Sequence, residues 1–319
     1  MHLRRFLATV LAVGSIVLAT ACGGDDLNSN ATDNSTSPTP SSSADMGSVS
    51  ISGQSFGEAA LVAAMYDQLL TAAGYTTDVK LVDSRDGYMP TFPKSIDIVP
   101  EYVGGIVNFL NAAKNGDNAQ PFTAGDGQQL ADQGKALLDA QGLTLLDLSE
   151  ATDTNAFFVT QDYSDSNGVT KLSDLQGVSV TLAAAPDCEG RLDCEGGLSD
   201  QYGIDVTKVL PLGYASDQTY KSVIDGESEL GETSTTDGTL AAQGLVVLDD
   251  DKQIQPAQNL VPAVSSAFLA QHPDVADILN PLMAALTTDK LTELNARISV
   301  DREKPEDVAT SFLQEAGLL

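Results

Sequence analysis

Carboxylates are the most abundant charged side chains in this sequence that could do chemistry. The 319 residues include 45 acidic residues, 16 basic residues and only two histidines, His2 and His272. So few histidines disfavour a Ser/His or Cys/His nucleophile pair and a zinc site with histidine ligands. Asp97 and Glu101 could form the carboxylate pair of a glycosidase, but Asp97 lies in an apolar run and no aromatic sugar platform is evident. We therefore expect no catalytic residue, cofactor or metal ion, and a protein that is not an enzyme.

The charge and the length limit the partners and the domain number. The formal net charge is -29, which works against nucleic acid as a partner because that contact needs basic patches. A chain of this length, with 42% hydrophobic residues, is long enough for one large or two medium domains. We expect a monomer that binds no nucleic acid.

The amino terminus has the pattern of an export signal. Two arginines precede a short apolar stretch, and small residues then lead to Cys22. The stretch is too short for a membrane span. An apolar run that ends in small residues and a cysteine is similar to a bacterial lipoprotein signal. We expect removal of residues 1–21 and lipidation of Cys22, which would anchor the protein at the extracytoplasmic face of the cell membrane. An ordinary secretory signal with an incidental cysteine is the alternative.

A polar segment follows the cysteine. Residues 22–46 are rich in Gly, Ser, Thr, Asn, Asp and Pro and lack the apolar residues to build a core. This composition is typical of a solvated, flexible tether, which would hold the following domains roughly 25–30 Å from the lipid.

The two remaining cysteines, Cys188 and Cys194, are separated by five residues. In an exported protein this pattern favours a disulfide, and a metal site is the weaker alternative because no further cysteine or suitable histidine is available. Closing so short a loop contributes roughly 2–2.5 kcal/mol. The disulfide would hold Arg191 and its neighbours in one conformation.

From residue 48 onward, strand-like runs alternate with helical ones. The predicted strands are residues 48–52, 78–83, 96–102, 143–148, 155–160, 178–183, 208–212 and 245–250. The predicted helices are residues 57–73, 88–95, 103–113, 126–141, 218–225, 275–286, 288–297 and 305–316. This alternation predicts an α/β fold with mostly parallel strands and a helical carboxyl-terminal end.

Several motifs follow one another from Ile51 to Leu319. They are SGQSFGE, DSRDGYMPTFPKSIDIVPEYVGG, TKLSD, GGLSDQYGID, TSTTDG, GLVVLDDDK and LTELNARISVDREKPEDVATSFLQEAGL. Their order and spacing resemble the substrate-binding proteins of osmoprotectant ABC importers, which bind glycine betaine, choline, carnitine and related compounds. The cysteine-bearing form of the segment around Arg191 looks like the actinobacterial lipoprotein branch of that family.

This resemblance implies a clamshell of two α/β lobes, similar to periplasmic binding proteins, with two hinge crossovers. Lobe 1 would comprise residues 47–152 plus 249–319, and lobe 2 would comprise residues 153–248. The hinges would lie near residues 149–155 and 245–250. The ligand would be trapped between the lobes and delivered to a permease that works with a separate ATPase.

The resemblance also implies which residues contact the ligand. Tyr102 matches a tyrosine of the aromatic cage around a quaternary ammonium group, and Arg191 matches an arginine that faces the cleft. The other implied ligand-binding residues are polar and lie before the first helix, at the start of lobe 2 and in a later loop: Gln54, Ser55, Asp153, Asn155, Thr235, Thr236 and Asp237.

The sequence departs from the family pattern where tyrosines are expected. The family's Tyr-Thr-Gly-Thr run is Tyr102 followed by Val-Gly-Gly, and Asn155 stands where a tyrosine is common. Only Tyr88, Tyr214 or Tyr220 could compensate. One tyrosine cannot surround a trimethylammonium group. From the resemblance as a whole, the leading interpretation is a receptor for osmoprotectant-type quaternary amines or a related small polar solute. The alternatives are a rebuilt cleft for a non-betaine molecule, or a surface sensor or interaction protein without transport.

Overall fold

The computed structural model describes residues 45–319. The expected signal peptide (1–21), Cys22 and nearly all of the expected tether (22–46) lie outside this range. Within it, ten strands alternate with eleven α-helices. The strands are β1 Ser48–Gln54, β2 Thr76–Val82, β3 Ile98–Tyr102, β4 Leu143–Leu145, β5 Asn155–Thr160, β6 Ser179–Ala184, β7 Asp205–Pro211, β8 Leu230–Ser234, β9 Leu245–Leu248 and β10 Leu260–Ser265. The helices are α1 Gly57–Ala72, α2 Arg85–Tyr88, α3 Val103–Asn115, α4 Gly127–Gln141, α5 Gln161–Asn167, α6 Glu195–Asp200, α7 Asp217–Ile224, α8 Ser266–Gln271, α9 Asp274–Ala285, α10 Thr288–Ser299 and α11 Pro305–Glu315.

The strands form two five-stranded sheets. One has the order β2-β1-β3-β10-β4 and the other β7-β6-β8-β5-β9. In each sheet four strands are parallel to one another, and one strand, β10 or β5, is antiparallel to both of its neighbours. The α/β prediction is confirmed, and most strands of each sheet are parallel, as predicted. Only half of the neighbouring pairs are parallel, because β10 and β5 each lie between two oppositely directed strands. The reversed strands are those that the chain enters directly after passing from one sheet to the other.

This topology brings many strand ends to the junction between the sheets. The chain leaves the first sheet after β4 and the second after β9, so the carboxyl ends of the eight parallel strands face the junction. The reversed strands β5 and β10 begin there. Ligands of open α/β sheets bind at the carboxyl ends of parallel strands. The end of β3, the start of β5 and the end of β8 are therefore the places to look for a site.

Two crossovers connect the sheets and pair with each other. Residues 146–154 lead into β5, and residues 249–259 lead back into β10. Ser149 N–H donates to Leu260 O (2.9 Å) and Leu260 N–H donates to Ala151 O (2.9 Å). Farther along, Asp153 N–H donates to Gln258 O (3.2 Å). We keep the name lobe 1 for the layers around the first sheet and lobe 2 for those around the second, and their exact boundaries stay a prediction.

Contacts of the return crossover favour a boundary later than residue 249. Asp250 accepts hydrogen bonds from Tyr202 and from Ile254 N–H, and the Gln255 amide donates to Asp193 O (2.7 Å). These partners belong to lobe 2. Ala257, in contrast, is buried in a hydrophobic cluster of lobe 1, and its N–H donates to Ala124 O (2.9 Å).

Several elements differ from the sequence prediction, and the short helices α5, α6 and α8 are among those that were not predicted. The helix expected at residues 88–95 is wrong: α2 ends at Tyr88, and turns follow, because Pro90 and Pro93 lack a backbone donor and restrict the residue before them. Strand β8 was not predicted because it carries buried polar residues, and β10 was not predicted because Pro262 interrupts its apolar pattern.

Helices cover both faces of each sheet. In lobe 1, α1, α9, α10 and α11 pack on one face around Ile51 and Ile98, while α3 and α4 cover the other face around Val99 and Val261. In lobe 2, Phe157 and Phe158, adjacent in β5, point into two separate clusters. Within residues 45–319, no helix combines the length and the apolar character needed to cross a membrane.

Candidate ligand-binding site

A cavity of about 480 Å³ lies where the two lobes meet. Lobe 1 contributes residues from the start of α1 and from α10, and lobe 2 contributes residues that follow β7 and β8. The lining residues are Phe56, Gly57, Glu58, Asp153, Tyr214, Ala215, Tyr220, Ser234, Thr236, Asp237, Gly238, Thr239, Asn295, Ile298 and Ser299. A molecule in this cavity would contact both lobes at once.

Glu58 is a buried carboxylate in the first turn of α1, where the helix dipole favours a negative charge. One of its oxygens accepts from the Tyr102 hydroxyl, at the end of β3, and the other accepts from the Asn295 amide (2.5 Å). Burial raises the pKa of Glu58, and these hydrogen bonds oppose that rise. Tyr102 therefore orients a residue of the cavity lining, Glu58, although Tyr102 does not line the cavity itself.

Asp153 is a second carboxylate at this wall and comes from the first crossover. Its Oδ1 atom is buried and receives no hydrogen bond from the protein. Burial, and next the nearby charge of Glu58, raise the pKa of Asp153 to about 7. A buried carboxyl group with a raised pKa and a free acceptor atom is suited to a ligand that brings a donor or a positive charge.

Asn295 has a fixed orientation in α10. Leu291 and Leu294 on the same helix are buried in the lobe 1 core. The Asn295 Nδ2 atom donates to Glu58 and to the backbone oxygen of Thr236 (3.0 Å), which can only accept. The Oδ1 atom is thereby defined as the acceptor, and it too is buried without a partner in the protein.

Asp237 is a third carboxylate of the lining, and its own hydrogen bonds are satisfied. Tyr220 and Thr233 donate to Oδ2, and Thr239 donates to Oδ1 through both its backbone N–H and its hydroxyl. The next residue, Gly238, lies against α10: a Cβ atom there would be 2.2 Å from Ala296 N. Glycine is thus required where the lobe 2 loop meets lobe 1.

Aromatic rings form the apolar part of the site. Phe56 and Tyr214, from opposite lobes, each expose 43% of their surface although both are large hydrophobic residues. The Phe56 ring is stacked on Tyr102, with centroids 6.4 Å apart. Tyr220 also lines the cavity, whereas Tyr88 is buried in lobe 1 and donates to Glu101. Of the tyrosines that could compensate for the missing cage, the structure therefore brings Tyr214 and Tyr220 to the cavity.

No Lys or Arg side chain is among the residues described as lining this cavity. Arg191 is paired with Asp193 (2.7 Å) and Asp187 (3.2 Å) in lobe 2. Arg85 is paired with the buried Glu101 (2.8 Å). Glu101 is one of the two carboxylates first considered as a glycosidase pair, and its partner in the structure is this arginine. The other, Asp97, accepts from Ser50 N–H (2.8 Å).

A smaller cavity of about 100 Å³ shares Asp153 and Tyr214 with the first. Asn155 lines it, and the Asn155 amide approaches the Asp193 carboxylate at 3.4 Å. Arg191 lines neither cavity; it is paired with Asp193, which in turn contacts Asn155. The sulfur atoms of Cys188 and Cys194 are bonded at 2.00 Å, so the structure contains the expected disulfide at the base of the Arg191 loop.

The structure thus brings only some of the expected ligand-binding residues together. Asp153, Thr236 and Asp237 line the larger cavity and Asn155 lines the smaller one. Gln54, Ser55 and Thr235 line neither; the Thr235 hydroxyl instead donates to Thr152 O (2.7 Å) in the crossover. The ligand-binding role of each residue stays a prediction.

Sequence reasoning did not select Phe56, Glu58 or Asn295 as ligand contacts. All three lie in motifs that carry the family resemblance, so a signal was present. The sequence did not show that these residues lie at one cavity, because Glu58 and Asn295 are 237 residues apart in the chain.

Two α/β lobes, two paired crossovers and a cavity lined from both sides define a two-lobe solute receptor of the periplasmic-binding-protein type. The structure of apo YehZ from Escherichia coli superposes with a TM-score of 0.71 and 26% identity, covering 85% of this chain and 99% of that chain. A crystal structure titled glycine betaine/carnitine/choline ABC transporter has a TM-score of 0.73 at 22% identity, covering 85% and 98%. At 22% identity, this second similarity shows a shared fold.

The chain belongs to the family described as the substrate binding domain of ABC-type glycine betaine transport systems, whose model matches residues 47–315. It is also 28% identical to the glycine-betaine-binding protein of Pseudomonas aeruginosa over 282 residues, which are 84% of this chain and 88% of that protein. The family consists of solute-binding receptors and not of enzymes. This chain is therefore a substrate-binding protein of a glycine-betaine-type ABC importer.

Proposed function

We propose that this chain is the lipid-anchored, extracytoplasmic receptor of an ABC importer, which traps a small organic cation or polar solute between its lobes. The observation that carries the proposal is the cavity of about 480 Å³, with Glu58 on one lobe, Asp237 on the other and Asp153 between them. A ligand that contacts both lobes binds the closed arrangement better than an open one, and so favours closure. Closure would present the loaded receptor to a permease.

Ligand binding can be tested directly by titration calorimetry on the mature protein. Glycine betaine, choline and carnitine are the first probes, and small-angle scattering measures whether a bound probe compacts the protein. We expect saturable binding of one molecule per chain and a smaller radius of gyration. The variant Asp139→Asn is a suitable control because that carboxylate is exposed on α4 and paired only with Lys135. Unchanged scattering at saturation would contradict trapping between lobes.

Anchoring rests on the sequence before residue 45. The pattern that ends at Cys22 supports lipidation, and two acyl chains are sufficient for stable attachment to a membrane. Cys22→Ser should move the protein from the membrane fraction to the soluble fraction, whereas Thr20→Ser, which keeps the cysteine, should not. Retention of Cys22→Ser in membranes would contradict the proposal of lipidation.

The same scaffold with a rebuilt cleft is the second candidate, and the packing after Tyr102 favours it. The resemblance places threonines where this chain has Val103 and Gly105. A Cβ atom at Gly105 would be 2.5 Å from an Arg85 guanidinium nitrogen, so a threonine there would have to displace Arg85, which is paired with Glu101. Glycine betaine that fails to bind, alongside another solute that does, would support the rebuilt cleft.

A further inference from the structure

Two unpartnered acceptor atoms meet at the cavity. Within residues 45–319, three buried side-chain polar atoms lack a hydrogen-bond partner, and two of them, Asp153 Oδ1 and Asn295 Oδ1, belong to residues that line it. A buried acceptor without a donor is energetically unfavourable, more so when the group is charged. Two such atoms at one cavity therefore indicate the chemistry of its occupant.

Flipping the Asn295 amide would not satisfy its oxygen, because that would place it against the ionised Glu58 carboxylate and against Thr236 O, both of which accept. Near Asp153, the hydroxyls of Ser234 and Thr236 oppose the rise of its pKa, but neither donates to Oδ1 in this structure. A ligand with its own donors would satisfy both acceptor atoms together.

The charge of the lining selects the sign of the ligand. Glu58, Asp153 and Asp237 are the charged side chains that line the cavity, and all three are acidic. A carboxylate on the ligand would meet like charges and no guanidinium or ammonium clamp, because Arg191 and Arg85 are occupied by their own acidic partners. A zwitterion is consequently a poor match to this lining.

A quaternary ammonium group satisfies the charge but not the hydrogen bonds, since it has no N–H. We propose that the ligand is an organic cation that carries at least one N–H donor and no carboxylate, such as a protonated tertiary or primary amine or a guanidinium. Its N–H groups donate to Asp153 and Asn295, and its carbon skeleton packs on Phe56 and Tyr214. This inference rests on the proposed function and names the solute class of that same site.

Four probes test it in two matched pairs: N,N-dimethylethanolamine against choline, and N,N-dimethylglycine against glycine betaine. Within each pair one N–H replaces one N-methyl group, and between the pairs a carboxylate replaces a hydroxymethyl group. Calorimetry on the mature protein should show that N,N-dimethylethanolamine binds about tenfold or more tightly than each of the other three, the expected gain of one charge-assisted hydrogen bond.

The variant Asp153→Asn removes the charge at nearly constant shape and should weaken that preference, because a neutral amide oxygen replaces the charged acceptor. Asp139→Asn makes the same chemical change on an exposed helix and should preserve it. Unfolding by urea shows whether Asp153→Asn is folded. If this variant does not fold, Asn295→Asp is the second variant. The carboxylate that it adds to the cavity should change the selectivity between the two pairs of probes. Tighter binding of glycine betaine or choline would overturn this inference while supporting the proposed function. Binding of none of the four would overturn both.

Discussion

Asn295 donates a hydrogen bond to Glu58 across 237 residues of sequence, with 2.5 Å between the amide nitrogen and the carboxylate oxygen. The same amide donates to Thr236 O in lobe 2, so one side chain of α10 links the first turn of α1 to the other lobe. The Asn295 amide therefore connects the two lobes at the cavity wall, and its alteration should affect both folding and binding.

Asn295→Leu should lower the free energy of unfolding by about 2 kcal/mol. The reason is that the buried Glu58 carboxylate loses the Asn295 donor and Thr236 O loses the same donor. Urea denaturation monitored by circular dichroism measures the change. Asn167→Ala, which removes an exposed amide bonded to Tyr163 O in α5, should change stability little. Equal effects of the two variants would contradict a special role for Asn295.

The stability of the protein should fall as the pH rises from about 4 to 7, in part because of Asp153. Its folded-state pKa of about 7 lies above the ordinary value of 3.8 for an aspartic acid, so the folded state holds the proton more tightly in this window. The stabilisation is fully present below the unfolded pKa and is lost as the pH rises through the folded pKa. Its full size is on the order of 4 kcal/mol.

Asp153→Asn tests this contribution, because it removes the Asp153 carboxyl group and leaves Glu58 and Asp237 in place. Urea denaturation at pH 5 and pH 8 should show that the variant loses less stability than the wild type between these values. The variant should also be the more stable protein at pH 8. A pH dependence identical to that of the wild type would place the Asp153 pKa outside this window.

Cation affinity should rise with pH through the same range. A bound ammonium group favours the ionised form of Asp153, so binding releases a proton wherever that carboxyl group is partly protonated. Titration of N,N-dimethylethanolamine at pH 6 and pH 8, in two buffers of different ionisation enthalpy, measures both the affinity and the protons released. We expect tighter binding at pH 8, with proton release that is detectable at pH 6. Proton uptake at pH 6 would contradict this linkage.

The disulfide should contribute about 2 kcal/mol to stability, as expected for so short a loop. The double variant Cys188→Ser, Cys194→Ser should show this loss in urea, and a reductant should destabilise the wild type but not the double variant. Cys22→Ser should retain the wild-type response to reductant, since Cys22 lies outside the loop. Because Asp193 lies in the loop and contacts Asn155, a ligand that reaches the smaller cavity should also bind the double variant less tightly.

The strands and helices were predictable where their pattern is local. The runs around Ile51, Ile98 and Phe157 alternate or are fully apolar, and the structure has strands there. Strands β8 and β10 could not be recognised, since Glu232 and Thr233 are buried by tertiary contacts and Pro262 lies within a strand. The antiparallel direction of β5 and β10 could not be predicted from the sequence either, because it depends on where the chain passes from one sheet to the other.

The sequence by itself determined the α/β alternation, the family through its ordered motifs, the acidic character of the chain and the spacing that permits the disulfide. These properties depend on neighbouring residues or on composition. Only the tertiary structure decided which carboxylates share a cavity, that Arg191 is occupied by Asp193, and that two acceptor atoms are left without donors. Those outcomes arise from contacts between segments that are far apart in the chain, and burial at these contacts sets both the pKa values and the hydrogen bonds.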